Sequence, residues 1–191
     1  MIPLSVGDLY RPETDPQPVE ALKKRLGIDG RYLLYVGNFK PHKNVRGLLS
    51  AFGKVARDIG DLKLVLAGPK THTYPELCAL AERLSLRHRV IFTGTISETD
   101  RPHLLYSGAE AFVMPSLYEG FGLPPAEAMA CGVPVVASNT TSLPEVVGDA
   151  GLLVDPLDAD RMAEAVIKIV TDTDLRNMLK KRGLERVALF S

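Results

Sequence analysis

Ala111-Phe112-Val113-Met114-Pro115-Ser116-Leu117-Tyr118-Glu119-Gly120-Phe121-Gly122-Leu123-Pro124-Pro125-Ala126-Glu127 passes from an apolar strand pattern, through a glycine-rich turn, into a helix start. The run ends at Pro115, and Leu123 to Cys131 reads as a helix whose prolines fall in its first turn, where a missing N–H does no harm. A helix start leaves backbone N–H groups unpaired beside a positive dipole end, which suits a phosphate or a sugar hydroxyl. Gly120 and Gly122 would let such a ligand approach the backbone closely. Glu119 stands before the turn and Glu127 one helical turn inside it, so the spacing predicts two carboxylates facing one pocket. Either Glu alone reads more readily as a charge on the helix dipole; the next loop is what points to a ligand.

Working outward, Tyr32 to Val36, Leu62 to Ala67, Arg89 to Thr93, Ala111 to Met114, Pro134 to Ala137 and Gly151 to Val154 are short, nearly continuous apolar runs. Parallel strands buried on both faces read this way. Helical stripes separate most of them: Val45, Leu48, Leu49, Phe52, Val55 and Ala56; then Leu77, Leu80, Ala81 and Leu84; then Met162, Ala165, Val166, Ile169 and Val170. Ser97 to Ser107 is expected as a helix interrupted by Pro102, and Ser142 to Val147 as a short one. The pattern predicts an α/β domain with a doubly wound, six-stranded parallel sheet, Rossmann-like, in the order 3-2-1-4-5-6. Strands one and four are then neighbours, and the loop after Met114 meets the loop after Val36, Gly37-Asn38-Phe39-Lys40-Pro41-His42-Lys43-Asn44. That loop ends at a second helix start with Asn44 as N-cap, and offers Lys40 and Lys43 as cations. Glycine turns, helix N-termini and lysine beside two carboxylates suit a molecule carrying both phosphates and hydroxyls, as a nucleotide sugar does.

At these residues the chain resembles the retaining GT-B glycosyltransferases of family 4 (group 1). Glu119 to Glu127 is similar to that family's Glu-x7-Glu motif, and Gly37 to Asn44, Met114 to Glu127, Ala128 to Ala137 and Leu143 to Pro156 are in its style. The resemblance runs almost from end to end and implies the C-terminal, nucleotide-sugar-binding half of a GT-B fold. It implies that Lys43 binds the donor diphosphate, with Gly37, Asn38 and Lys40 beside it. By the same resemblance Gly120, Phe121, Gly122 and Leu123 hold sugar and phosphate through the backbone, Glu119 contacts donor-sugar hydroxyls, and Glu127 accepts from the ribose. Gly94, Thr95 and Ile96 would lie near the nucleobase. Lys43 and Glu119 would serve the chemistry itself, Lys43 stabilising the leaving diphosphate and Glu119 positioning the donor rather than forming a covalent intermediate. Transfer would proceed with retention, without a metal or cofactor. One departure stands out: many members carry arginine where this chain has Asn38, and Lys40 or His42 would supply part of that charge. The loop is closest to a subgroup associated with mannosyl and rhamnosyl transfer to bacterial polysaccharide acceptors, which favours GDP-mannose as donor.

The 191 residues suffice for one well-buried α/β domain, whereas a GT-B enzyme has two. Residues 1–18 are expected to be an interdomain entry segment, Ile2 to Gly7, and a proline-rich linker, Arg11 to Pro18; residues 19–191 would be the donor-binding domain. The acceptor, a saccharide or lipid-linked saccharide, would bind through an absent N-terminal domain. The isolated chain is then expected to bind donor yet transfer poorly or not at all, and to expose an apolar patch. A GT-B-like nucleotide-sugar epimerase or phosphorylase, and a non-catalytic nucleotide-sugar-binding module, are the alternatives. A nucleotide dehydrogenase fits worse, since Gly37-Asn38-Phe39 is no Gly-x-Gly-x-x-Gly turn. Lys plus Arg (23) equals Asp plus Glu (23), which leaves no basic surplus for nucleic acid or anionic lipid. No apolar run approaches the roughly 18 residues of a membrane span, and the start lacks a secretory pattern, so a cytoplasmic setting is expected, with any contact to the inner membrane face made by the other half. Cys78 and Cys131 are expected as reduced helix residues, and His42, His72, His88 and His103 show no metal-ligand spacing. Lys180-Lys181-Arg182 reads as the solvated end of a helix.

Overall fold

In the computed structural model, which describes residues 6, 7 and 9–190 and all their side chains but that of Glu98, six strands alternate with helices. The elements are α1 (Pro16–Leu26), β1 (Tyr32–Val36), α2 (Val45–Asp58), β2 (Lys63–Ala67), α3 (Tyr74–Arg83), β3 (Val90–Gly94) and α4 (Pro102–Ser107). They continue with β4 (Ala111–Met114), α5 (Leu123–Ala130), β5 (Val135–Ser138), α6 (Leu143–Val147), β6 (Gly151–Val154), α7 (Ala159–Thr171) and α8 (Thr173–Val187). All strand pairs are parallel in the order β3-β2-β1-β4-β5-β6, as the apolar runs predict. The reversal falls between β1 and β4, where Leu33 pairs with Ala111 and Leu34 with Phe112. Both loops of interest therefore leave the same end of adjacent strands.

The central strands are buried on both sides, and α2 contributes Val45, Leu48, Leu49, Phe52 and Val55 to the core, packing against α7. Burial of such side chains stabilises by about 1.5–3 kcal/mol each relative to exposure. Several expectations change. The expected linker through Pro18 is already helical from Pro16, because Asp15 caps α1 by accepting from the Gln17 N–H at 2.9 Å while a proline occupies its first turn. The Ser97–Ser107 helix is two pieces, a 3-10 turn at Glu98–Asp100 and α4 starting at Pro102, separated by Arg101 at φ 56°. Lys180, Lys181 and Arg182 lie in the middle of α8 rather than at a helix end. Entry residues Ile2 to Ser5, and Ser191, lie outside the described residues.

Helix α8 carries only Leu179, Gly183 and Val187 as buried positions. Gly183 brings α8 onto α5, since a Cβ there would stand 3.2 Å from Met129 Cγ. Among the described residues no helix is long and apolar enough to cross a membrane, and no group of three or more His, Cys, Asp or Glu is placed to hold a metal ion. Cys78 and Cys131 are free thiols, and burial pushes the Cys131 thiol up to about 12.

Candidate functional site

Three strand ends build the floor. Gly37, at φ 151°, donates its N–H to the Ala67 carbonyl at 2.9 Å, and Gly68 donates to the Gly94 carbonyl at 2.9 Å. A Cβ on Gly68 would lie 1.9 Å from the Gly37 oxygen, so only glycine allows these loops to touch. The buried Tyr35 hydroxyl donates to the Asn38 carbonyl at 2.7 Å, and the Asn38 side chain accepts from the Lys40 N–H at 3.1 Å, closing its own loop.

The loop then forms a 3-10 turn at Pro41–Lys43 and reaches Asn44 in the left-handed region, φ 53°. Asn44 caps α2 as expected, its Oδ1 accepting from the Gly47 N–H at 3.2 Å. Its Nδ2 donates to the carbonyls of Pro115 (3.2 Å) and Pro156 (2.7 Å), while the Leu117 N–H donates to the His42 carbonyl at 2.8 Å. These bonds join the loops after β1, β4 and β6. They bring Lys43 Nζ within 2.7 Å of both oxygens of Glu119. The pair is largely buried, with 17% of the lysine side chain and 9% of the glutamate side chain exposed. Buried Ser116 donates to Glu119 Oε1 at 2.6 Å, and the Glu119 N–H donates to Thr141 Oγ1 at 3.2 Å.

The helix start is poorer in donors than its position suggests. Pro124 and Pro125 remove two of the four first-turn N–H groups of α5, leaving those of Leu123 and Ala126. Gly122 is the N-cap at φ 95°, and a Cβ there would stand 2.8 Å from Leu143 Cδ2; around Gly120 there is open space. The Ser142 hydroxyl braces the turn by donating to the Phe121 carbonyl at 2.9 Å. Leu117, Tyr118 and Phe121 on this loop and Leu123 at the start of α5 stand exposed.

Beside the ion pair lies a cleft of about 500 Å³. Gly37, Asn38, Thr95, Ile96, Leu123 and Glu127 line it, together with Tyr10, Gly68, Pro69 and Tyr106, which the sequence reading did not single out. Lys40, Lys43, Gly94, Glu119, Gly120, Phe121 and Gly122 are not part of that lining. The two carboxylates therefore do not face one cavity: Glu127 points into the cleft, and Glu119 is turned to Lys43 next to it. Lys40 is exposed and lines a separate groove with Arg46 and Glu76. Glu127 is the one carboxylate among the lining residues, and Tyr106 donates to its Oε2 at 2.6 Å. Burial raises the Glu127 carboxyl above its ordinary range, although hydrogen bonds from Tyr106 and Tyr10 pull it back in part. An apolar slot closed by one carboxylate can take a flat ring and a hydroxyl pair, and the lysine beside it can take an anion.

The sequence matches the family of glycosyl transferases group 1 over residues 18–186, and the chain belongs to that family. It is 41% identical over 184 residues to O-antigen chain mannosyltransferase B of Escherichia coli, covering 95% of this chain and 48% of that protein. Among solved structures, sucrose-phosphate synthase from Thermosynechococcus elongatus superposes with a TM-score of 0.84 at 32% identity, over 99% of this chain and 47% of that one. The C-terminal domain of a group 1 family glycosyl transferase from Francisella tularensis matches at a TM-score of 0.83 and 24% identity, covering 95% of each chain. The fold is thus that of the C-terminal half of a GT-B glycosyltransferase. The chain spans about half the length of the O-antigen mannosyltransferase it matches.

Proposed function

We propose that this chain is the donor-binding domain of a retaining glycosyltransferase that moves a hexose, mannose favoured, from a nucleoside diphosphate sugar to a saccharide or lipid-linked acceptor at the cytoplasmic side. The observation that carries the reading is the contact of Lys43 with both Glu119 oxygens, where β1 and β4 part, beside the Glu127 cleft. An ammonium has three donors, and Glu119 uses two of them. A diphosphate placed at the Gly122 turn draws Lys43 toward itself and frees Glu119 to accept from sugar hydroxyls, so one displacement prepares both halves of the donor. The nucleoside lies in the cleft, its base along Thr95 and Ile96 and its ribose on Glu127.

As the glycosidic bond to the diphosphate breaks, charge grows on the departing phosphate; Lys43 and the start of α5 stabilise it in place of a metal ion. The dipole contributes about 0.3–1 kcal/mol, and up to ~2 in a partly buried site, which leaves the larger share to Lys43. Mannose is favoured by the 41% identity to a protein named as a mannosyltransferase. Calorimetric titration with GDP, UDP and ADP, then with GDP-mannose and UDP-glucose, all in EDTA, tests the reading. Preference for GDP and GDP-mannose without metal is expected. Binding only with added divalent metal, or equal affinity for all three nucleotides, would overturn it.

A further inference from the structure

Glu127 is held from two other places in the chain. It stands on α5; Tyr106 on α4, fully buried, donates to Oε2 at 2.6 Å; and Tyr10, which lines the same cleft from a turn ahead of α1 closed by its N–H on the Gly7 carbonyl, hydrogen-bonds the same carboxylate. The two rings meet edge to face, 5.8 Å apart at 75°, and Tyr106 leans in turn on Phe112 of β4 at 5.6 Å. Tyr106 is buried and its hydroxyl needs an acceptor, Tyr10 is half-buried, and both turn to the one carboxylate among the residues lining the cleft. An ionised carboxylate offers about four lone-pair sites. Two tyrosines occupy two and leave two, directed by rigid rings with few rotamers, which is the complement of a vicinal diol.

We infer that Tyr10 and Tyr106 are positioning residues for the Glu127 carboxylate that accepts from the ribose, and that through Tyr10 the segment ahead of α1 forms part of the nucleoside site. This rests on the reading of Glu127 as the ribose acceptor. Without the two hydroxyls the Glu127 side chain would be free to turn among rotamers, and its preference for a diol would fall while contacts to the base stayed the same. A second consequence follows for Tyr10. It lies outside the sheet and its crossovers, so whatever moves the segment before α1 also changes ribose recognition.

The test uses this chain and whichever of GDP, UDP or ADP binds best, paired with its 2′,3′-dideoxy analogue. The quantity read is the ratio of the two dissociation constants. Glu127→Gln is expected to collapse the ratio toward one. Tyr106→Phe and Tyr10→Phe are each expected to reduce it by about threefold to tenfold, as for loss of an ordinary hydrogen bond, with the dideoxy constant unchanged within about twofold. In the Glu127→Gln background neither Tyr→Phe change should alter the ratio further. Should Glu127→Gln lower the ratio while both Tyr→Phe variants leave it intact, the positioning role is wrong and the ribose reading stands. An unchanged ratio in Glu127→Gln removes the ribose reading and this one with it. Equal weakening of both ligands in the Tyr→Phe variants would mark the tyrosines as packing alone.

Discussion

Glu119 and Glu127 lie eight residues apart on one loop and helix, yet the fold partners them in opposite ways. Glu119 is met by a full positive charge, Lys43, and by the Ser116 hydroxyl. Glu127 is met only by neutral phenols and is left in a cleft whose burial raises its pKa. A charge-paired carboxylate can exchange its partner when a stronger anion arrives; a carboxylate held by neutral donors keeps the cost of desolvation until a ligand brings more donors. The first arrangement suits a diphosphate and a sugar that must be engaged together. The second suits a diol recognised in an already shaped slot.

The largest effect is expected where the first arrangement is assembled. Asn44→Asp keeps an oxygen for the Gly47 N–H but removes the donor shared by the Pro115 and Pro156 carbonyls and sets a negative charge against them. Two carbonyls left unpaired at about 1–3 kcal/mol each predict a loss of about 4 kcal/mol, measured by urea denaturation. A loss under about 1 kcal/mol would mean that these bonds do not hold the loops together.

Next comes Lys43→Ala, which strands Glu119 with only the Ser116 hydroxyl and should destabilise by about 3 kcal/mol, as when one partner of a buried pair is removed. The Lys43→Met, Glu119→Gln double variant should recover most of that loss, since no unpaired charge remains. Ligand binding sharpens the same point. Lys43→Ala is expected to weaken a nucleoside diphosphate by about tenfold or more, as for loss of a charged hydrogen bond, and the free nucleoside hardly at all. Equal weakening of both in calorimetry would take the phosphate role from Lys43.

The comparison also shows what sequence can reveal. The six strands were legible because parallel strands buried on both faces appear as unbroken apolar runs, and their ends shift by about one residue only at β2, β3 and β5. The extent of helix α8, expected to end near Lys180 to Arg182, was not, because its buried positions include Gly183 and form no apolar stripe; it is held by the close approach to Met129, which no local pattern encodes. The meeting of the loops after β1 and β4 followed from strand order alone. That Lys43 would bond Glu119 directly did not, since the two stand 76 positions apart and are brought together by the Asn44 bonds. Tyr10 and Tyr106 were hidden for a similar reason: Tyr10 lies in an irregular stretch and Tyr106 in the expected Ser97–Ser107 helix, and nothing local marks either until the fold points both at Glu127.

The smallest expected effect tests the other side of the comparison. Because burial raises the Glu127 carboxyl in the folded chain, the folded state binds a proton that the unfolded chain has already released in the interval just above the ordinary carboxylate range. The contribution of this group to stability is therefore greatest at the acid end of that interval and is lost as the pH climbs through the folded pKa, the reverse of a salt-bridged carboxylate. Glu127→Gln removes the buried charge and keeps an acceptor for the tyrosine hydroxyls. The variant should melt at a higher temperature than the parent at pH 7, by less than either loss above, and the gain should shrink on acidification through the folded pKa. A gain of stability coupled to weaker ribose discrimination would show that Glu127 is kept ionised in the cleft at a cost to the fold. Melting curves of the two proteins between pH 4 and pH 8 that run parallel would instead place Glu127 among ordinary solvated carboxylates and dissolve the contrast with Glu119.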